Sequence, residues 1–208
     1  MDVPGRIESV DQLAGLYRAP SARAAGKVVT RIDDASARFI DRCTFVVVST
    51  SDGHGSSDAS PRGGPPGFVQ RLDERHVAIP DLVGNNRLDS LRNIVARPHA
   101  GLLLVVPGRD ETLRINGPAA LTVDPGILSG FTGELRRPKL AIVVETAELY
   151  GHCAKAFRRA RLWDPPFWAE VDDAPDLAEI YACQFDGTDA REVRATVEAI
   201  YAEDLACD

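Results

Sequence analysis

The longest apolar runs in this chain, residues 102–106 and 140–144, are five residues each. That is the length of a β-strand, far short of the roughly 20 residues needed to cross a bilayer. Shorter segments of the same kind recur around them. Residues 44–50 hold Phe45-Val46-Val47-Val48, a β-branched run suited to a buried strand. Residues 67–72 and 76–80 read as two strands joined at Asp73-Glu74. Residues 100–106 and 112–116 flank Pro107-Gly108-Arg109-Asp110, a hairpin signal; 119–123 continues the sheet and 139–145 adds another strand. Many short strands with few helices between them argue for an antiparallel barrel, not a parallel βαβ sheet. The stretch 51–67, dense in Gly, Ser and Pro, reads as mostly loop.

Helical signals gather at the flanks. Ser9 is placed to cap a helix through Leu13, Leu16 and Tyr17, and Asp33-Asp34 to open another through Ala37, Phe39 and Ile40. Leu88, Leu91 and Val95 recur at helical spacing over 88–96, which Pro98 stops. Residues 152–161 read as a helix ended by Asp164-Pro165-Pro166, and 188–208 as an amphipathic helix carrying Val193, Val197 and Ile200. A length of 208 residues suggests one domain, with N-terminal helices over about 1–42 and a helical tail over about 165–208.

A net charge of −7 argues against a general nucleic-acid binder, and 44% hydrophobic with 26% charged residues is ordinary for a soluble globular protein. The start, Met1-Asp2-Val3-Pro4-Gly5-Arg6, lacks the apolar stretch of a secretion signal. The four cysteines are widely and irregularly spaced, suggesting neither a zinc module nor a disulfide framework and fitting a cytoplasmic location. No membrane association is expected.

Three polar clusters are unusual for a plain barrel. In Ser60-Pro61-Arg62-Gly63-Gly64-Pro65-Pro66-Gly67, glycines let backbone N–H groups approach a flat or anionic ligand and Arg62 adds a fork of donors; a turn-rich surface loop is the competing reading. Gly84-Asn85-Asn86-Arg87-Leu88-Asp89-Ser90-Leu91 leads into a helix N-terminus, a ready phosphate site to which Arg87 adds a charge. The alternative is Asn86 as a helix cap beside a solvated Arg87. In His152-Cys153-Ala154-Lys155-Ala156-Phe157-Arg158-Arg159, a helix would align His152, Lys155 and Arg159 on one face, pointing to a bound anion or to an exposed basic stripe. Within Thr112-Leu113-Arg114-Ile115-Asn116, strand alternation puts Arg114 and Asn116 on one face, toward a polar ring edge or toward water. His54, His76, His99 and His152 show no metal-ligand spacing, so no metal is expected.

The order of these motifs resembles the pyridoxamine 5′-phosphate oxidase-like flavoproteins, more narrowly their bacterial "probable FMN-dependent enzyme" branch. Ser60-Pro61-Arg62-Gly63, then Ile79-Pro80-Asp81 leading to Gly84–Leu91, carry the likeness. Val106-Pro107-Gly108 with Thr112–Gly117, and His152–Phe157 through Leu162-Trp163, extend it over about residues 38–164. The resemblance implies a mainly β, FMN-binding antiparallel split β-barrel with flanking α-helices. It further implies a homodimer with FMN at the subunit interface and oxidoreductase chemistry on a small molecule. Carried onto this chain, Ser60, Arg62 and Gly63 would lie along the flavin ring. Asn86 and Arg87, with Ser90, would hold the phosphate, and Arg114 and Asn116 would face the ring's polar edge or the ribityl chain. The segment with His152, Lys155 and Arg159 would approach the site from either subunit, with His152 a candidate proton donor. The alternatives are a reductase using the deazaflavin F420 and a non-catalytic flavin- or haem-binding module.

Overall fold

The computed structural model describes residues 2–131, 138–168 and 173–207. Helices α1 (Val10–Ala14) and α2 (Ala22–Ala25) come first, each capped by a serine: Ser9 accepts from the Gln12 N–H and Ser21 from the Ala24 N–H. Asp33 caps α3 (Asp34–Asp41), accepting from the Ser36 and Ala35 N–H groups and from the Ser36 hydroxyl. Those donors hold its carboxyl below the usual range. Strands β1 (Phe45–Ser51), β2 (Ser57–Gly63), β3 (Gln70–Arg71) and β4 (His76–Pro80) follow, then α4 (Asp89–Ala96), β5 (His99–Val105) and β6 (Thr112–Thr122). The chain continues through α5 (Pro125–Gly130), β7 (Ala141–Glu145), β8 (Glu148–His152), α6 (Lys155–Arg159), α7 (Pro165–Trp168), α8 (Leu177–Gln184) and α9 (Ala190–Cys207).

The strands pair in the order β2-β1-β5-β6-β7-β4-β3, with β8 also on β6, and every pairing is antiparallel. The long β6 joins two half-sheets: its first half pairs with β5 and β8, its second with β7. The switch falls at Gly117, where a Cβ would collide with the Glu145 carbonyl oxygen, so only glycine lets β6 cross so close to the end of β7. The half-sheets enclose one core, built from Val46, Val48, Leu102, Leu104 and Ile115 on one side and Ile79, Ile142 and Val144 on the other. This is a split β-barrel with flanking helices. Among the described residues no helix is long and apolar enough to cross a membrane.

Several elements differ from the sequence reading. Residues 57–63, read as loop, form strand β2. Its inward side chains are polar and so carry no apolar signal, but its backbone pairs with β1 along its whole length. Pro61 is tolerated because β2 is an edge strand, where no neighbour requires its missing N–H. Residues 112–116 and 119–123 merge into the single strand β6. His152 ends β8, paired with Thr112, and does not lie on a helix. It therefore shares no helix face with Lys155 and Arg159, which stand one turn apart on α6. Leu88, not Asn86, occupies the cap position of α4. Helix α5 has no counterpart in the sequence reading, while α2, α7 and α8 fall within the helical flanks read over about 1–42 and 165–208 without being placed individually there.

Candidate functional site

Inward from β2 lies a cleft of about 550 Å³, bounded by Asp58, Ser60 and Arg62 on one side and by residues 81–91 on the other. Strand alternation produces the first wall: Asp58, Ser60 and Arg62 are partly buried while Ala59, Pro61 and Gly63 between them are exposed. Register puts Ser60 opposite Val48 and Arg62 opposite Val46, both core residues, so this row points to the inner face of the sheet. The second wall is the entry to α4. Asn86 and Leu88 both adopt left-handed backbone conformations, φ 57° and 62°, an uncommon arrangement for non-glycine residues that recurs at ligand-binding turns. The Asn85 side chain accepts from the Arg87 N–H at 3.1 Å and fixes the turn. The N-cap residue Leu88 makes no side-chain hydrogen bond to α4, so among the described residues the first turn, at the positive end of the helix dipole, meets the cleft without a capping group. α4 itself is anchored by buried Leu91 and Ile94 and by Asn93, whose amide donates to Thr50 on β1 at 3.0 Å.

The cleft's charges are mixed. Asp58, Asp81 and Asp89 face Arg62 and Arg87. Arg87 is largely exposed and its Nε donates to Asp89 at 2.7 Å. Ser90 is buried and its hydroxyl donates to Asp58 at 2.5 Å. Partial burial pushes the Asp81 carboxyl above the usual range, and the charges of Arg62 and Lys139 only partly offset this. Arg62 is the outlier: its Nε is buried and has no hydrogen-bond partner among the described residues. A buried guanidinium donor left unmet costs stability unless a ligand accepts from it.

A second cleft, about 370 Å³, lies on the other face of the same half-sheet. Val47 and Ser49 of β1, Gly101 and Leu103 of β5, and Thr112, Arg114 and Asn116 of β6 share this outer face by register. β8 extends it, with Tyr150 opposite Arg114, Glu148 opposite Asn116 and His152 opposite Thr112. The Arg114 guanidinium sits 5.4 Å from the centre of the Tyr150 ring, and the Asn116 amide donates to Glu148 at 2.8 Å. Two polar groups are thus pre-oriented beside an apolar wall of Val47, Leu103 and Phe157. Gly101 leaves room for the Asn116 side chain, whose Oδ1 a Cβ there would meet at 3.0 Å.

The residues singled out from the sequence therefore fall into two groups on opposite faces. Ser60, Arg62, Asn86, Arg87 and Ser90 line the inner cleft; Arg114, Asn116 and His152 line the outer one. Gly63, Lys155 and Arg159 line neither. Arg158, next to Arg159, holds Asp110 at the rim of the outer cleft at 2.8 Å. The sequence reading did not assign Asp58 or Asp81 to the site; the spacing Asp58-Ser60-Arg62, alternate residues on one strand face, is the signal that could have found Asp58, and Asp81 lies just after the end of β4. Among the described residues no cluster of three His, Cys, Asp or Glu side chains is placed to hold a metal.

A family model described as pyridoxamine 5′-phosphate oxidase matches residues 32–153, from the approach to α3 to the residue after β8. The chain belongs to this family. Both clefts lie largely within the family region, whereas α1, α2 and α6–α9 lie outside it. Solved structures with a similar fold include HupZ of Group A Streptococcus, at 16% identity over 58% of this chain and 93% of that one, with a TM-score of 0.44. A putative pyridoxamine 5′-phosphate oxidase of Lactobacillus delbrueckii is 14% identical over 60% and 98% of the two chains, with a TM-score of 0.42. An FMN-binding protein of Syntrophomonas wolfei is 9% identical over 56% and 88%, also at 0.42. No match was found among curated proteins.

Proposed function

We propose that this member of the pyridoxamine 5′-phosphate oxidase family is an oxidoreductase that binds FMN between two copies of the chain and acts on a small molecule. The observation that carries the reading is the buried, unpartnered Nε of Arg62 beside the uncapped start of α4. Together they offer donors to an anionic, ring-bearing ligand, and the Arg62 Nε has no partner among the described residues. The residues present fit a flavin phosphate and ring.

The division of the site supports a dimer. The inner and outer clefts lie on opposite faces of one half-sheet, so a single ligand can touch both sets only if the second comes from another protomer. Homodimers are the commonest symmetric assembly, and two-fold symmetry would complete two such sites at once. In this arrangement the α4 N-terminus and Arg87 hold the phosphate, and Arg87 exchanges its exposed Asp89 partner for it. Exposed pairs of this kind are weak enough for that exchange. Ser90, held by Asp58, fixes the first turn of α4, and Arg62 lies against the ring. The partner's outer face supplies the Arg114 cation and the Asn116 amide at the ring's polar edge. When bound, FMN supplies the redox chemistry, and the protein positions it and sets its electrostatic surroundings. His152, at the end of β8, is the nearest imidazole to hold a proton over the outer cleft.

Denaturing extraction of the native protein, followed by identification of what is released, tests the assignment. FMN in the extract, bleached in the intact protein by a pyridine-nucleotide-driven reductant, supports it. F420 uptake by a colourless protein would favour the deazaflavin reductase. FMN or haem that no donor reduces would favour a binding module, and no cofactor at all would overturn the reading.

A further inference from the structure

A third cavity, about 570 Å³, opens between α3 and the turn that joins β5 to β6, and shares no lining residue with either cleft of the proposed flavin site. Its floor is apolar: Ala35, Phe39 and Val106, with Phe39 packed against the barrel core. Its rim is cationic. Arg38 and Arg42 stand one helical turn apart at the end of α3, and Arg109 comes from the β5–β6 turn, far along the chain. Glu111 is the one carboxylate among the lining residues. None of the three arginines forms an ion pair among the described residues, whereas Arg71, Arg75 and Arg158 elsewhere on the barrel do. This local positive excess stands on a chain whose net charge is −7. The α3 C-terminus attracts cations to its own carbonyls, which accounts for Arg38 and Arg42 but not for Arg109 on the facing wall.

We propose that this cavity binds a small amphipathic organic anion, its apolar body on Phe39 and Val106 and its head group among Arg38, Arg42 and Arg109. An apolar floor suits a hydrocarbon or aryl body, since polar ligands gain nothing from it. Guanidinium groups converging from two elements suit a planar carboxylate or a sulfonate, which they bind through paired hydrogen bonds. The site is separate from the flavin clefts and takes ligand with or without FMN present.

Isothermal titration of the full-length protein, as purified, tests this with three probes: decanoate, decan-1-ol and inorganic pyrophosphate. Decanoate binds saturably with one site per chain, and the alcohol and pyrophosphate bind at least tenfold more weakly. Replacing Arg38, Arg42 and Arg109 together with Gln weakens decanoate at least tenfold, while thermal midpoint and flavin content stay unchanged. If the triple variant unfolds, the single variant Arg109→Gln, on an exposed turn, carries the test with a smaller loss. Equal binding of decanol would reduce the site to an apolar dent, and tighter pyrophosphate would make it a plain anion site. Either result overturns the proposal, as does decanoate binding that the arginine changes leave untouched, or none at all.

Discussion

Replacing Arg62 with Met separates the two roles that a buried arginine can have, because the proposed function gives its effects opposite signs. Met keeps the apolar stem and removes the donors. In the flavin-free protein the Nε is buried without a partner, and an unmet buried donor costs about 1–3 kcal/mol. The residue as a whole is only partly buried, so the low end applies. Relief of about 1 kcal/mol raises the thermal midpoint by roughly 2–4 °C for a chain of this size. In the flavin complex the same change removes a charge-assisted hydrogen bond worth about 1.5–3 kcal/mol. That weakens FMN roughly 10- to 150-fold. Calorimetry on the stripped protein reads the first effect, and quenching of flavin fluorescence on titration reads the second. A lowered midpoint with unchanged FMN affinity would show that Arg62 is a structural residue, and the inner cleft would lose its main argument.

Further outcomes follow from other parts of the structure. Asp81→Asn should raise the thermal midpoint near neutral pH. Burial lifts this carboxyl's folded pKa above its unfolded one, so its ionised form penalises the fold at high pH. The penalty fades as the pH falls through the folded value and is gone below the unfolded one, so the advantage of Asn should vanish in acid; an advantage that grows in acid would contradict the assignment. Arg114→Ala should lower the flavin reduction potential, because a cation at the ring's polar edge favours the reduced anion; an unchanged potential in a variant that still binds FMN would remove that role. Gly117→Ala should cost more than the ~1–3 kcal/mol of ordinary overpacking, since the obstacle is the Glu145 backbone carbonyl and not a movable side chain. Near-wild-type stability in urea would refute the tight crossing of β6.

The parts of the fold legible in the sequence are those whose signals are local. Asp33 caps α3 where its spacing predicts, and the Pro107-Gly108 turn joins β5 to β6. The apolar runs of β1, β5 and β7 each send alternate residues into the core. The misreadings occur where tertiary context supplies what the sequence lacks. β2 is a strand because β1 offers its edge, and its alternation is polar because it faces a cleft. His152 is the last residue of β8 because β6 pairs with that strand up to Thr112, although the basic residues just beyond do form a short helix. For the site, composition identified the arginines and the Asn86-Arg87 turn. It could not say that Arg62 and Arg114 point to opposite faces, since that depends on register across three successive strand pairings.

That opposition of faces makes a subunit-mixing experiment the most direct measurement. One variant carries Arg62→Met on the inner face; the other carries Arg114→Met with Asn116→Leu on the outer face. Each alone should bind FMN poorly at a concentration that saturates the wild type. Unfolded together and refolded, half of the dimers are mixed, and each mixed dimer regains one site built from the two undamaged faces. FMN binding should therefore return to roughly one quarter of the wild-type level, as two-fold symmetry requires. If the mixture binds no more than the separate variants, the flavin does not span two protomers and the shared-site account is wrong.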